Sequence, residues 1–291
     1  MTPEELAEQL QALIAQAEAK VGEQLAKTNQ SLYSQIQILL NKLDLSDAGL
    51  ILQTQENRRL LVKVDEYVNS ALRTSGYWTS LDTFAGHITT ITNTSAGYFA
   101  TLSDAFTANA QYIKSLQRNA ITEIESYLAN EGLEAVIRRP LTNILNQNVN
   151  TGAAISDLTA QVREFILGSP KLDPTLTKYA KTITRTSLFD FSSSLQEAVS
   201  ENLGLQFYLY SGAARKDSRD FCVARAGKYF HKKEVEAWPA LNWSGKRRGT
   251  TSSTIFIYRG GWNCEHQLIA SSEVTVPMSV IKRAKELGYY Q

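Results

Sequence analysis

Both cysteines of the chain, Cys222 and Cys264, and two of its three histidines, His231 and His266, fall in one C-terminal stretch. Zinc accepts two thiolates and two imidazoles in tetrahedral geometry, so these four residues are a candidate metal set. The spacing holds no cysteine pair or histidine pair of the usual chelating kind; the local chelate is a single Cys-x-His, Cys264 and His266. The same thiols could form a Cys222–Cys264 disulfide in an oxidising setting. They could also be two small, buried, reduced thiols in contact, and this reading, with no resident cofactor, is the one adopted. A nucleophilic centre would need a thiol beside His231 or His266, with a carboxylate such as Asp220 or Glu265 to orient the imidazole. Cys264 and His266 are two apart, so on a strand they would share a face. No phosphate-cradling glycine loop and no Glu-flanked histidine pair on a helix accompanies them. The expectation is a chain without catalytic activity. His87, in an Ala/Thr-rich helix, reads as an ordinary surface or core histidine.

The neighbours of these residues are ordered. Ile183-Thr184-Arg185-Thr186 comes first, then Asp217-Ser218-Arg219-Asp220-Phe221-Cys222, then Gly227-Lys228-Tyr229-Phe230, and last Gly260-Gly261-Trp262-Asn263-Cys264-Glu265-His266. This succession resembles the phage Mu F-like head morphogenesis (minor head protein) family over roughly residues 175–270. That family has an Arg-Thr pair in a helix, a strand, an Asp-x-Arg-x-x-Cys segment, a Gly-Lys/Phe turn and a terminal Asn-Cys-Arg-Cys or Asn-Cys-Arg-His motif. The matching positions are Arg185-Thr186, Asp217/Arg219/Cys222, Gly227/Tyr229/Phe230 and Asn263/Cys264/His266. Two departures stand out: Glu265 where a basic residue is usual, and Gly260-Gly261-Trp262 where His-Pro often precedes Asn-Cys.

The resemblance implies a non-enzymatic minor head protein of a tailed bacteriophage, present in multiple copies per virion. It implies association with the portal protein and other head proteins, inside the capsid near the portal vertex, after assembly in the host cytoplasm. Packaged DNA is a further expected contact. Two alternatives stand beside it: a metal- or cysteine-dependent enzyme acting on nucleic acid or peptide, and a DNA-binding or ejection protein without a portal role.

Physical roles follow for the matched residues. The Arg219 guanidinium is a rigid planar donor fork and Asp217 an acceptor two residues away. Together they are expected to tie the Cys222 segment to the Asn263–His266 loop by charge-assisted hydrogen bonds, with Arg185 reaching the same loop from its helix. An irregular loop needs such partners for its backbone polar groups.

Charge is unevenly spread. The formal net charge is +1, yet residues 211–259 carry eleven Lys/Arg against four Asp/Glu, while residues 1–30 carry five Glu against two Lys. A basic region of this kind attracts polyanions. Arg215, Lys216, Lys232, Lys233, Lys246, Arg247 and Arg248 are therefore candidate nucleic-acid contacts. Trp238, Trp243, Trp262, Tyr229 and Phe230 lie among them and could stack on bases, but a small domain needs them for its core, and the core reading is preferred.

The elements that must position these residues are mainly helical: a long N-terminal helical region followed by a small C-terminal α+β domain. With 43% hydrophobic residues, most of the chain is expected to fold. Thr2-Pro3-Glu4-Glu5 is a helix start with a capping box from Thr2 and Glu5. Leu6, Leu10, Leu13, Ile14, Ala17, Val21 and Leu25 mark one face of that helix. Ser46-Asp47 opens a second helical segment, with Leu60, Leu61, Val64, Tyr67, Val68, Ala71 and Leu72 inside and Ser75-Gly76 at its end. Residues 79–131, with Phe84, Tyr98, Phe106 and Tyr112, read as loosely specified helix capped by Gly132. Asn146–Gly152 reads as the clearest linker. Ser156–Leu167 is a short helix, and Asp173-Pro174 opens another that runs to Gly204. Gln206–Tyr210 and Thr254–Tyr258 read as strands, and Ser279–Leu287 as a closing helix stopped by Gly288.

The division expected is thus 1–150 helical and partner-binding, 151–204 a helical connector, 205–275 the small basic domain, and 276–291 a helix and tail. No apolar run of membrane-spanning length and no secretory leader is apparent, so no membrane partner is expected. Two cysteines make no disulfide framework, so synthesis in a reducing cytosol is expected.

Overall fold

The computed structural model describes residues 1–103 and 110–290; Phe106 and Gln291 lie outside them. The chain is mainly α with a small C-terminal α+β part. In order it runs α1 (Pro3–Leu40), α2 (Gln55–Leu61), α3 (Val64–Thr74), α4 (Tyr77–Leu102), α5 (Ala110–Ala129) and α6 (Glu131–Leu133). A π-helical turn, Glu134–Arg138, joins α6 to α7 (Arg139–Thr151), followed by α8 (Ile155–Leu167) and α9 (Thr175–Asn202). Then come β1 (Phe207–Ser211), α10 (Asp220–Val223), β2 (Lys228–His231), α11 (Lys232–Ala237), α12 (Ile255–Tyr258), β3 (Gln267–Ser271) and α13 (Met278–Glu286). Among the described residues no helix is long and apolar enough to cross a membrane.

Contacts divide the chain into two interleaved units instead of four consecutive blocks. One comprises Met1–Gln16, Ala85–Ile121 and Arg185–Gln291; the other comprises Ala17–Phe84 and Thr122–Thr184.

The second unit is all helix but for isolated bridges. Its α2 begins at the Thr54 cap, whose hydroxyl accepts from the Asn57 N–H at 3.2 Å, and not at Ser46-Asp47. Residues 46–49 form a turn instead, because the buried Asn57 amide holds the loop by donating to the carbonyls of Asp44 and Leu52. Gly76, at φ +73°, ends α3 as expected. The expected linker at 146–152 is helix as far as Thr151, since Leu141, Leu145 and Val149 keep the apolar spacing going. The real break is left-handed Gly152. Gly132 lies within α6 and caps nothing; a Cβ there would collide with the Tyr127 carbonyl and the Tyr179 hydroxyl.

The first unit holds a three-stranded antiparallel sheet in the order β2-β1-β3. Strand alternation puts Phe207 and Leu209 on one face of β1 and Tyr208 and Tyr210 on the other. Phe207 packs with Val276, Val280, Ile281 and Ala284. Tyr208 meets Phe256, and Tyr210 meets Trp238 and His266. The expected capping box of α1 is present: the Glu5 N–H donates to Thr2 Oγ1 at 3.1 Å and the Thr2 N–H to Glu5 Oε2 at 2.8 Å. Its buried residues Leu6, Leu10 and Ile14 belong to this unit. The Tyr229 hydroxyl donates to Glu4 and the Gln267 amide to the Ala7 carbonyl, so the start of α1 is built into the β part. Tyr98, on α4, donates to the Ala270 carbonyl of β3 at 2.7 Å.

Thr254–Tyr258 is a helical turn, contrary to the strand expected there. Thr251 and Thr254 cap one another, each backbone N–H donating to the other's hydroxyl, and the N–H of Tyr258 then donates to the carbonyl of Thr254. Local side-chain capping prevails over β propensity in so short a run. The strands flanking β1 are Lys228–His231, taken from sequence as a turn, and Gln267–Ser271.

Candidate functional site

The site is built from three pieces of chain. β1 supplies Tyr210, α10 supplies Cys222, and the loop from α12 into β3 supplies Cys264 and His266. That loop is tightly folded. Arg259 and Asn263 both have positive φ, +47° and +56°, and Gly261 lies at +104°. Its backbone polar groups are met individually, as a buried irregular segment requires. The Trp243 indole donates to the Gly260 carbonyl at 2.9 Å, and Arg219 Nη2 donates to the Trp262 carbonyl at 2.5 Å.

Cys222 Sγ and Cys264 Sγ lie 4.0 Å apart, both buried and unbridged. Cys264 Sγ is 3.9 Å from His266 Nδ1. The Tyr210 hydroxyl donates to Cys222 Sγ at 3.3 Å, and its ring stacks on His266. One ligand atom from each of Cys222, Cys264 and His266 falls within 4.8 Å of the others. Gly260 lies against both sulfurs, and a Cβ at that position would collide with them. His266 Nε2 is buried with no hydrogen-bond partner among the described residues.

The sulfurs are electrostatically unequal. Hydrogen bonding from Cys222, with His266 and Arg259 adding to it, holds the Cys264 thiol well below its usual range. The same contact, reinforced by burial, pushes Cys222 up. Burial first, then the two sulfurs, raises Tyr210 well above an ordinary phenol, so its hydroxyl stays a donor.

A pocket of about 70 Å³ opens beside the group, lined by Arg215, Asp217, Arg219, Asn263 and Glu265 with the thiols and His266. Glu265 closes one side. Its carboxylate accepts from Arg185 Nη1 at 3.0 Å and pairs with Arg215 Nη2 at 2.6 Å. Among the described residues the imidazole of His266 has no orienting carboxylate as a hydrogen-bond partner.

Several sequence-derived positions lie elsewhere or do other work. Asp217 lines the pocket but does not pair with Arg219, whose guanidinium goes to the Trp262 carbonyl instead. His231 is not with the thiols. Its Nδ1 accepts from the Lys233 N–H and caps α11, and its Nε2 meets Gln206 Oε1 at 3.0 Å. Burial lowers its pKa, which keeps the capping nitrogen free of a proton.

The candidate nucleic-acid contacts are mostly occupied within the chain. Arg215 pairs with Glu265, Lys232 with Glu201 and the buried Arg247 with Asp190. Lys246 donates to the carbonyls of Pro239 and Leu241, and Lys233 stands over the Tyr289 ring. Lys216 and Arg248 are exposed. Trp238 is in the core, stacked edge-on with Phe221 and Phe230, while Trp262 is exposed beneath the Arg247 guanidinium.

Sequence reasoning passed over Tyr210 as a site residue, and over Asp190 and Arg259. The alternation in Phe207–Ser211 was a signal for Tyr210. For Asp190 the only mark was a carboxylate set between two phenylalanines of a helix.

Compared with known proteins, the chain matches no family model, no curated protein and no solved structure.

Proposed function

We propose that the chain is a structural minor head protein of a tailed bacteriophage, working by attachment and not by catalysis. One observation carries this reading. Of the residues that bear the resemblance to the Mu F-like family, Arg185, Arg219, Cys222, Cys264 and His266 gather around a single thiol pair: Cys222 against Cys264, His266 beside Cys264, Arg219 on the loop carbonyl of Trp262, Arg185 on Glu265. Their order along the chain and their convergence are one pattern, and the contacts they make knit a loop.

In this role the chain sits inside the capsid near the portal vertex and binds the portal and other head proteins. The internal pairing of Arg215, Lys232 and Arg247 favours protein attachment over a broad DNA-binding face. Quantitative mass spectrometry of gradient-purified heads and tails tests the proposal. The chain is expected in the head fraction, in far fewer copies than the main shell protein. Its absence from heads overturns the assignment.

A further inference from the structure

We propose that Cys222, Cys264 and His266 form a binding site for a thiophilic divalent cation, zinc in the cell, with water as the fourth ligand. The inference goes beyond the attachment role and does not depend on it.

The geometry argues for it first. At about 2.3 Å for Zn–S and about 2.0–2.1 Å for Zn–N, tetrahedral angles require ligand separations of about 3.8 Å between sulfurs and about 3.6 Å between sulfur and nitrogen. The observed separations are 4.0 Å between the sulfurs and 3.9 Å between Cys264 Sγ and His266 Nδ1, and all three ligand atoms lie within 4.8 Å of one another, within reach of side-chain rotations. The donor set is also right in kind: two soft sulfurs and an imidazole select zinc over magnesium or calcium.

The surroundings argue for it independently. Gly260 leaves bare backbone where any side chain would displace both sulfurs. Gly212, at φ +132°, does the same beside the His266 ring. The adjoining pocket of about 70 Å³ has ample room for a water, which needs roughly 10–15 Å³. Asp217 and Asn263 line that pocket and offer the water hydrogen-bond partners. The Tyr210 hydroxyl, already donating to Cys222, supplies the outer-shell contact that orients a ligating sulfur. On binding, each thiol gives up its proton to solvent, and the two thiolates neutralise the dication.

The test uses the full-length reduced chain titrated with Co2+. One cobalt per chain is expected, with tetrahedral ligand-field bands and a thiolate-to-cobalt charge-transfer band, both erased by Zn2+. Cys222→Ser and Cys264→Ser should each lose the charge-transfer intensity of one sulfur, and Tyr210→Phe should weaken affinity about 10-fold. Because a cysteine variant could unfold, a second measurement uses the unaltered chain. Zn2+ at about ten times its dissociation constant should slow iodoacetamide alkylation of both thiols about 10-fold, and a chelator should restore the rate. A reduced chain that gives no thiolate band with Co2+, a band whose intensity neither serine substitution lowers, or alkylation indifferent to Zn2+ overturns the proposal.

Discussion

Asp190 and Arg259, 69 positions apart in the chain, are ion-paired at 2.9 Å, and the arginine is only 2% exposed. The same carboxylate accepts from the buried Arg247 at 2.6 Å. Arg259 also donates to the Phe189 carbonyl and to the Ser193 hydroxyl. This arginine sits at positive φ immediately before Gly260, so α9 anchors the loop that delivers Cys264.

Asp190→Ala should therefore be severe. It leaves two buried guanidinium groups without their anion, which costs about 3–5 kcal/mol. Denaturant unfolding should show this loss, while Arg59→Ala, which breaks an exposed pair with Glu56, should change stability by less than about 1 kcal/mol. A small effect at Asp190 would mean that the cluster is not closed to water.

Gly260→Ala probes the space around the sulfurs. The added methyl meets both Sγ atoms, and overpacking of this kind costs about 1–3 kcal/mol. Thermal unfolding reads the loss, and thiol titration of the native protein should show the sulfurs newly exposed.

Glu265→Gln removes the anion shared by Arg185 and Arg215. The pairs are partly open to water, so the loss should be about 1 kcal/mol and should shrink as salt is added. Equal loss at low and high ionic strength would contradict an electrostatic tie.

Glu197 gives a pH signature. Burial, then the neighbouring Glu201, raises its carboxyl to about 7. A folded-state value above the unfolded one means that the native protein binds the extra proton, so this stabilisation is complete below the unfolded value and disappears as pH rises through about 7. Glu197→Gln should then leave stability nearly unchanged at low pH and raise it at alkaline pH. Screening at the half-exposed carboxyl limits the gain to about 1–2 kcal/mol. Melting curves across that range decide it; a variant with no alkaline gain would show that the carboxyl ionises freely in the native fold.

The helices were legible in the sequence wherever periodicity and a cap agreed. Thr2 and Glu5 announced α1, Gly168 ended α8 and Gly288 ended α13, and each of these signals acts within a few residues. Elements decided by distant partners were less legible. Asn57 moved the start of α2 by holding the backbone of Asp44, and the Thr251–Thr254 caps turned an apparent strand into a helical turn.

The site was legible in part. The meeting of Cys222 with Cys264, and of Arg185 with the loop, was readable from motif order. The partner of Arg219 was not, because a backbone carbonyl leaves no trace in residue identity. His231 was drawn into the candidate metal set by residue type alone, whereas its place on β2 commits it to capping α11.

The interleaving of the two units bears on how the protein is made. Glu4 finds Tyr229, and Ala7 finds Gln267, only after most of the chain has been synthesised. The unit of Ala17–Phe84 with Thr122–Thr184 has all its segments before then, whereas the unit that holds Glu4 and Ala7 does not. The closure that joins the start of α1 to β2 and β3 must therefore be a late, long-range step, waiting until Gln267 has been made.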